Sequence, residues 1–197
     1  MKRNRFLRNV LGVGIFSLMG CQTDQSHGQV AAIGGEEKNP QGTPSTQALR
    51  QELAAAWTRS ETMTLKNVDQ MRPEAFTFRY TEEAMTFTEQ WRHCVMYTCS
   101  QLSGRAGVAN PYEGVKLPVQ MPKEQIMGEL KNMYAFVQQT IQALSDETLL
   151  STCDFAGDTI PIWRLLYALE NHIIHHRGQC VVYLRLSGVV PKGFYGW

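Results

Sequence analysis

The chain has 197 residues, of which 43% are hydrophobic and 19% charged, which is enough to bury the core of one soluble domain. The formal net charge at pH 7 is only +1 and the basic residues form no stripe, so nucleic acid is not an expected partner.

Four basic residues open the chain and precede an apolar run at residues 10–20: Lys2, Arg3, Arg5 and Arg8. This order is typical of a secretory signal, and the run is too short to span a bilayer stably. The sequence LMGC at 18–21 resembles the bacterial lipobox, which implies cleavage before Cys21 and lipidation of that cysteine. We therefore expect residues 1–20 to be a lipoprotein signal peptide and the protein to be exported and anchored to the membrane of the cell envelope. An anchor helix or an uncleaved leader is the alternative.

Residues 21–45 are rich in Gly, Gln, Ser and Pro and lack periodic apolar spacing, which predicts a flexible tether containing an inert His27. Apolar residues at helical spacing then predict four helices, over about 46–71, 81–103, 123–143 and 160–186. For the second helix we expect Thr81 as the N-cap and Gly104 at the end, and for the third we expect Pro122 near its first position.

Four helices of this length, joined by loops long enough for a crossover, predict an all-α four-helix bundle over residues 46–197. Residues 148–160 could hold a short extended piece. Four cysteines fall within the predicted domain: Cys94, Cys99, Cys153 and Cys180. We expect buried free thiols, and one disulfide is the alternative because an exported protein can keep one.

Three of the five histidines lie within five positions of the last predicted helix. His172 and His176 are four residues apart, so they share one helix face and can ligate one metal ion. His175 points about 100° away and should face solvent or a neighbouring helix. His93 lies inside the apolar pattern of the second helix, where a buried imidazole needs a partner. We therefore predict a metal site made by His93, His172 and His176.

Three protein ligands leave a coordination position open, as in catalytic zinc sites. Cys180, one turn beyond His176, is a candidate fourth ligand that would close the site. The His-Glu-x-x-His motif of zinc proteases is missing. Glu89 and Glu170 could orient an imidazole or act as a base, although we expect both to be plain surface carboxylates.

The stretch HIIHHRGQCVVYLRLSGVVP at residues 172–191 is similar to the signature that closes proteins of the DinB family. That signature is roughly H-x-x-x-H-R-G-Q, a Tyr-Leu-Arg stretch and a G-V-x-P stop. Residues 85–104 resemble the family's second helix, whose ligand histidine falls on His93. The segments LSDETLL and DTIPIWRLLYALENH also fit. The resemblance covers about residues 46–197.

The resemblance implies an up-down bundle with a crossover, in which three histidines bind a divalent metal, usually zinc or nickel, and in which dimers are common. It also implies relatives that transfer low-molecular-weight thiols or use them in isomerisation. Those thiol cofactors are cytoplasmic, whereas we expect this chain to be exported.

The remaining signature residues should have structural roles. Arg177, Gln179 and Arg185 are expected to point off the ligand face and to bond loops or a neighbouring helix. Gly178 predicts close packing, because glycine within a helix is unfavourable by about 1 kcal/mol relative to alanine. Tyr183 is expected in the core with its hydroxyl bonded.

The function we predict is a metal-dependent hydrolase or thiol transferase acting on an unknown small substrate. Three imidazoles suit several metals, and the sequence does not identify catalytic residues. The alternative is a non-catalytic metal-binding or interaction module.

Overall fold

The computed structural model describes residues 45–192, so the predicted signal peptide, Cys21, His27 and most of the predicted tether lie outside the described residues. The described elements are α1 (Thr46–Gln70), a 3-10 turn (Pro73–Ala75), α2 (Phe87–Ala106), α3 (Lys123–Ala143), α4 (Asp146–Leu150), β1 (Thr152–Phe155), β2 (Asp158–Pro161) and α5 (Ile162–Leu186). No helix among them is both long and apolar enough to traverse a bilayer.

The ends of α2 differ from the prediction. The helix begins after Thr86, whose hydroxyl accepts the backbone N–H of Glu89 while the Glu89 carboxylate accepts the backbone N–H of Thr86. This reciprocal capping box satisfies two backbone donors, so Thr86 and not Thr81 is the N-cap. The helix continues through Gly104 and ends at Gly107, which adopts a left-handed φ of 68°.

The other long helices lie close to the predicted bounds. The hydroxyl of Ser45 caps α1, which ends at Gln70, one residue before the predicted end. Helix α3 spans Lys123–Ala143 as predicted, and Pro122 is its N-cap, directly before the first helical residue. Helix α5 begins at Ile162, two residues later than expected, because residues 158–161 form β2.

An antiparallel hairpin connects α4 to α5, where the sequence indicated only a possible extended piece. Thr152 pairs with Pro161 and Phe155 pairs with Asp158. The two-residue turn between the strands has positive φ at both Ala156 and Gly157, 56° and 92°, as a type I′ turn requires. The guanidinium of Arg105 lies 5.3 Å from the centre of the Phe155 ring, which ties the hairpin to the end of α2.

The four long helices form a bundle in which α1 and α2 occupy opposite corners. Each of them packs against α3 and α5. The largest fully buried side chains lie between the helices: Trp57, Trp91, Tyr134, Tyr183 and Phe87. The predicted four-helix bundle is confirmed, and α2 and α5, which carry the candidate ligands, are direct neighbours.

Buried polar contacts join α5 to α1. The Nη1 atom of Arg177 lies 3.3 Å from the carbonyl oxygen of Ser60, from its hydroxyl and from the Thr64 hydroxyl. Both hydroxyls also contact the hydroxyl of Tyr134 on α3. Arg177 therefore bonds a neighbouring helix, as expected from the sequence.

Two other predictions for α5 have different outcomes. Tyr183 is fully buried and its hydroxyl donates to the carbonyl of Met85, as expected. The prediction for Gly178 was wrong, because this glycine is exposed and a Cβ atom added there would meet nothing within 4 Å.

The four cysteines of the described region carry free thiols, as the favoured prediction held. Cys94, Cys99 and Cys180 are buried as predicted, whereas the predicted burial was wrong for Cys153, which is partly exposed on the hairpin. Burial raises the pKa of Cys99 to about 12 and places those of Cys94 and Cys180 well above the ordinary value. The buried thiols therefore stay protonated at neutral pH.

Candidate metal centre

Three imidazole rings converge between α2 and α5. His93 comes from α2, and His172 and His176 come from successive turns of α5. The Nε2 atom of His172 lies 3.2 Å from Nε2 of His93 and 3.1 Å from Nε2 of His176. Donor atoms of the three rings all lie within 4.8 Å of one another, so the group could hold a metal ion.

The spacing of the three nitrogens fits a shared cation. Zinc bonded tetrahedrally to imidazole nitrogens at 2.0–2.1 Å places neighbouring donor atoms roughly 3.3 Å apart. Without a cation, the single Nε2 of His172 faces two other nitrogens at hydrogen-bonding distance. A nitrogen with one proton or one lone pair cannot bond well to both of them, whereas a central cation accepts all three lone pairs.

The three rings are held in the neutral form that metal binding requires. Burial, followed by the nearby rings of His93 and His175, lowers the pKa of His172 to about 4. Burial, followed by His172, His93 and His175, lowers the pKa of His176 to about 4. Burial and the charge of Arg92 also lower the pKa of His93. The lone pairs are therefore available at neutral pH without displacing protons.

The Nδ1 atoms of the two α5 ligands have different surroundings. Nδ1 of His176 bonds the side-chain oxygen of Gln90, a buried residue one turn before His93 on α2. Nδ1 of His172 is buried and meets no hydrogen-bond partner in the described structure. The His172 ring packs instead on Tyr97, with ring centres 4.3 Å apart and planes inclined by 33°.

The family model for DinB, described as the DinB family, matches residues 44–197. The chain belongs to the DinB family. The expectation drawn from the closing motif is therefore confirmed.

Two solved structures share the family's fold with this chain. A DinB-like protein from Bacillus cereus ATCC 10987 aligns with a TM-score of 0.64 and 24% identity, over 74% of this chain and 97% of that one. The DinB-like protein YjoA from Bacillus subtilis aligns with a TM-score of 0.60 and 18% identity, over 73% and 97% of the two chains.

A curated relative matches a shorter region. The uncharacterized protein YrdA of Bacillus subtilis (strain 168) is 40% identical over 62 residues. That match covers 32% of this chain and 37% of the relative, so the chain spans about a third of YrdA's length.

Two other residues of this DinB-family chain, which the sequence placed near the predicted metal site, are not part of the three-histidine group. His175 is exposed, as expected, and its Nε2 accepts a hydrogen bond of 2.6 Å from Gln179. Cys180, the predicted alternative fourth ligand, is fully buried and is not part of the three-histidine group. The described residues therefore leave the group with three protein donors.

The expectation of plain surface carboxylates was wrong for both glutamates. Glu89 is half-buried and engaged in the capping box of α2, so its carboxylate has a structural partner. Glu170 is only 5% exposed. Burial raises its pKa, and a hydrogen bond with Ser60 and the charge of Arg177 partly oppose that rise. Glu170 thus belongs to the polar contacts with α1.

Gln90 and Tyr97 are the site residues that sequence reasoning missed. Both follow from helical spacing once His93 is taken as a ligand. Gln90 lies three residues before His93 and Tyr97 four residues after it, so all three share one face of α2.

Proposed function

We propose that this chain is a divalent-metal-binding DinB-family protein of the cell envelope, held to the membrane by a lipid on Cys21. It acts as a metal-dependent hydrolase or thiol transferase on a small substrate. The observation that carries the metal assignment is the convergence of three neutral Nε2 atoms at spacings of 3.1 and 3.2 Å. Zinc and nickel both suit imidazole donors.

The candidate ligands come from two helices. His93 binds from α2, while His172 and His176 bind from α5, and Tyr97 covers one face of the His172 ring. When bound, a divalent metal with three imidazole ligands and an open position activates water or a thiol as a nucleophile. The chain's own part is to hold the donors in place, neutral and partly shielded from water.

The two candidate reactions place different demands on the residues around the three rings. The group of possible metal donors found among residues 45–192 contains histidines alone. Glu89 and Glu170, the carboxylates considered as bases, are engaged in the α2 cap and in the contacts with α1. A thiol deprotonated by the metal itself needs no such base.

Cobalt substitution of the purified full-length protein tests this function, because Co²⁺ reports its ligands by absorption. We expect about one cobalt per chain, with visible bands that change when 2-mercaptoethanol is added and with a new thiolate-to-cobalt band in the near ultraviolet. No cobalt, zinc or nickel uptake would refute the metal site. Uptake without any spectral response to thiol, or to pH through bound water, would favour the non-catalytic metal-binding module.

The proposed lipid anchor at Cys21 can be tested separately from the metal site. Replacing Cys21 by serine should abolish incorporation of an alkyne-labelled fatty acid and move the protein from the membrane to the soluble fraction, because lipidation requires the thiol. Cys153→Ser, at a partly exposed cysteine of the bundle, is the matched control and should remain labelled. Fatty-acid labelling that survives in Cys21→Ser would contradict the lipoprotein assignment.

A further inference from the structure

A chain of side-chain hydrogen bonds leads from His176 to the protein surface. Nδ1 of His176 contacts the side-chain oxygen of Gln90. The side-chain nitrogen of Gln90 donates to the side-chain oxygen of Gln179 at 3.0 Å. The side-chain nitrogen of Gln179 then donates to Nε2 of His175 at 2.6 Å. Two amides therefore connect a buried candidate ligand on α5 to an exposed histidine on the same helix, by way of α2.

The donor-to-acceptor direction of these hydrogen bonds decides which nitrogen of His176 carries the proton. The side-chain oxygen of Gln90 can only accept, so Nδ1 of His176 must donate and Nε2 keeps its lone pair. A Gln90 amide turned by 180° would present its NH₂ group to Nδ1. The proton of a neutral ring would then lie on Nε2, where it blocks a metal.

Gln179 holds Gln90 in the productive orientation. Its oxygen accepts from the Gln90 nitrogen, so a turned Gln90 amide would place two oxygens against each other. The recorded donation from Gln179 to Nε2 of His175 requires that exposed ring to be protonated at Nδ1, so the network has this direction in that His175 tautomer. Gln90 is only 3% exposed, so water cannot readily replace a lost partner.

We propose that Gln90 is a positioning residue that fixes His176 in the tautomer protonated at Nδ1, and that Gln179 sets the orientation of the Gln90 amide. The tautomer part of this proposal concerns the metal-free protein. The effect on metal affinity rests on the proposed function. Partners that orient ligand imidazoles in this way commonly change metal affinity about 10- to 100-fold when they are replaced.

Imidazole ¹⁵N NMR of the metal-free full-length protein tests the tautomer directly. We expect His176 to be protonated at Nδ1 in the parent and to become a mixture of tautomers in Gln90→Leu. Gln90→Glu keeps an accepting oxygen at Nδ1 and should keep the parent tautomer, with the Gln179 amide turned so that it donates to the second carboxylate oxygen. Gln179→Leu should show the same shift as Gln90→Leu, to a smaller extent. Gln138→Leu is the matched control, because it removes a half-buried amide that bonds Ala54 and Thr58 far from the site.

Zinc affinity, measured by competition with a chelator, is the second readout. Gln90→Leu should bind zinc about 10- to 100-fold more weakly than the parent, while Gln90→Glu and Gln138→Leu should stay close to it. An unchanged His176 tautomer in Gln90→Leu would overturn the proposal, as would equal zinc affinity of Gln90→Leu and of a parent that does bind zinc.

The two proposals can fail separately. A parent that binds no zinc refutes the metal site, yet its His176 tautomer still decides the role of Gln90. Circular dichroism shows whether Gln90→Leu is folded. If Gln90→Leu does not fold, the His176 tautomer in Gln179→Leu, which keeps the buried Gln90, tests whether the amide network sets that tautomer.

Discussion

Replacing His172 by alanine should lower zinc affinity roughly 100- to 1,000-fold. Zinc sites with four protein ligands bind with about 10–16 kcal/mol, which corresponds to about 3 kcal/mol per ligand. The Nε2 atom of His172 lies close to both other candidate donors, at 3.2 Å from His93 and 3.1 Å from His176, so its removal takes away one of the three ligands. The measurement is zinc content after equilibrium dialysis, followed by chelator competition.

Asn171→Ala is the matched control for that experiment. Asn171 is the exposed neighbour of His172 on α5, so its replacement has the same helical context and leaves the three rings untouched. We expect it to bind zinc as the parent does. Equal affinity of His172→Ala and Asn171→Ala would show that these rings do not form the metal site.

Replacing Arg177 by methionine should lower the free energy of unfolding of the metal-free protein by about 1.5–3 kcal/mol. Methionine keeps much of the volume but removes the donor to Ser60 and Thr64, and it removes the positive charge near buried Glu170. Urea denaturation monitored by circular dichroism measures the loss. Arg185→Met, at an exposed arginine two turns further along α5, should change stability by less than about 0.5 kcal/mol.

A double replacement separates the charge of Arg177 from its packing. Adding Glu170→Gln to Arg177→Met removes the carboxyl left without a compensating charge, so part of the lost stability should return. A loss for Arg177→Met no larger than that for Arg185→Met would contradict the role assigned to Arg177. Additive effects of the Arg177 and Glu170 replacements would show that the two side chains are not coupled.

Most of the fold could be predicted because helical periodicity is strong in this chain. The apolar stripe of α3 places both of its ends correctly. The start of α2 was misplaced because Thr81 and Thr86 are both acceptable N-caps. Only Thr86 has a glutamate three residues later, and the capping box it forms distinguishes the two. The extended piece was not recognised as a hairpin because its Ala156-Gly157 turn lacks the Asn-Gly or Asp-Gly pair that usually marks a type I′ turn.

The sequence predicted the three histidines of the candidate site but not the residues that contact them from other helices. The i, i+4 pair of His172 and His176 can be seen in the sequence, the apolar pattern around His93 indicates the third ligand, and the resemblance to the DinB family agrees with that choice. The partners of these rings depend on how α2 meets α5. Helical spacing places Gln90 on the face of α2 that carries His93, but its bond to His176 joins residues 86 positions apart and depends on how α2 packs against α5. Glu170 was misjudged for the same reason, since its burial results from contact with α1.

The distance along the chain between the candidate ligands determines when a metal could be captured. His93 and His172 are 79 positions apart, so the complete set of donors arises only after the last helix has docked on α2. A chain that crosses a membrane before folding would meet its metal on the far side. Imidazole donors favour copper over zinc or nickel by intrinsic affinity. The compartment of folding, through the ions available there, would then select the metal, and protein folded in the cytoplasm of a production host could carry a different ion.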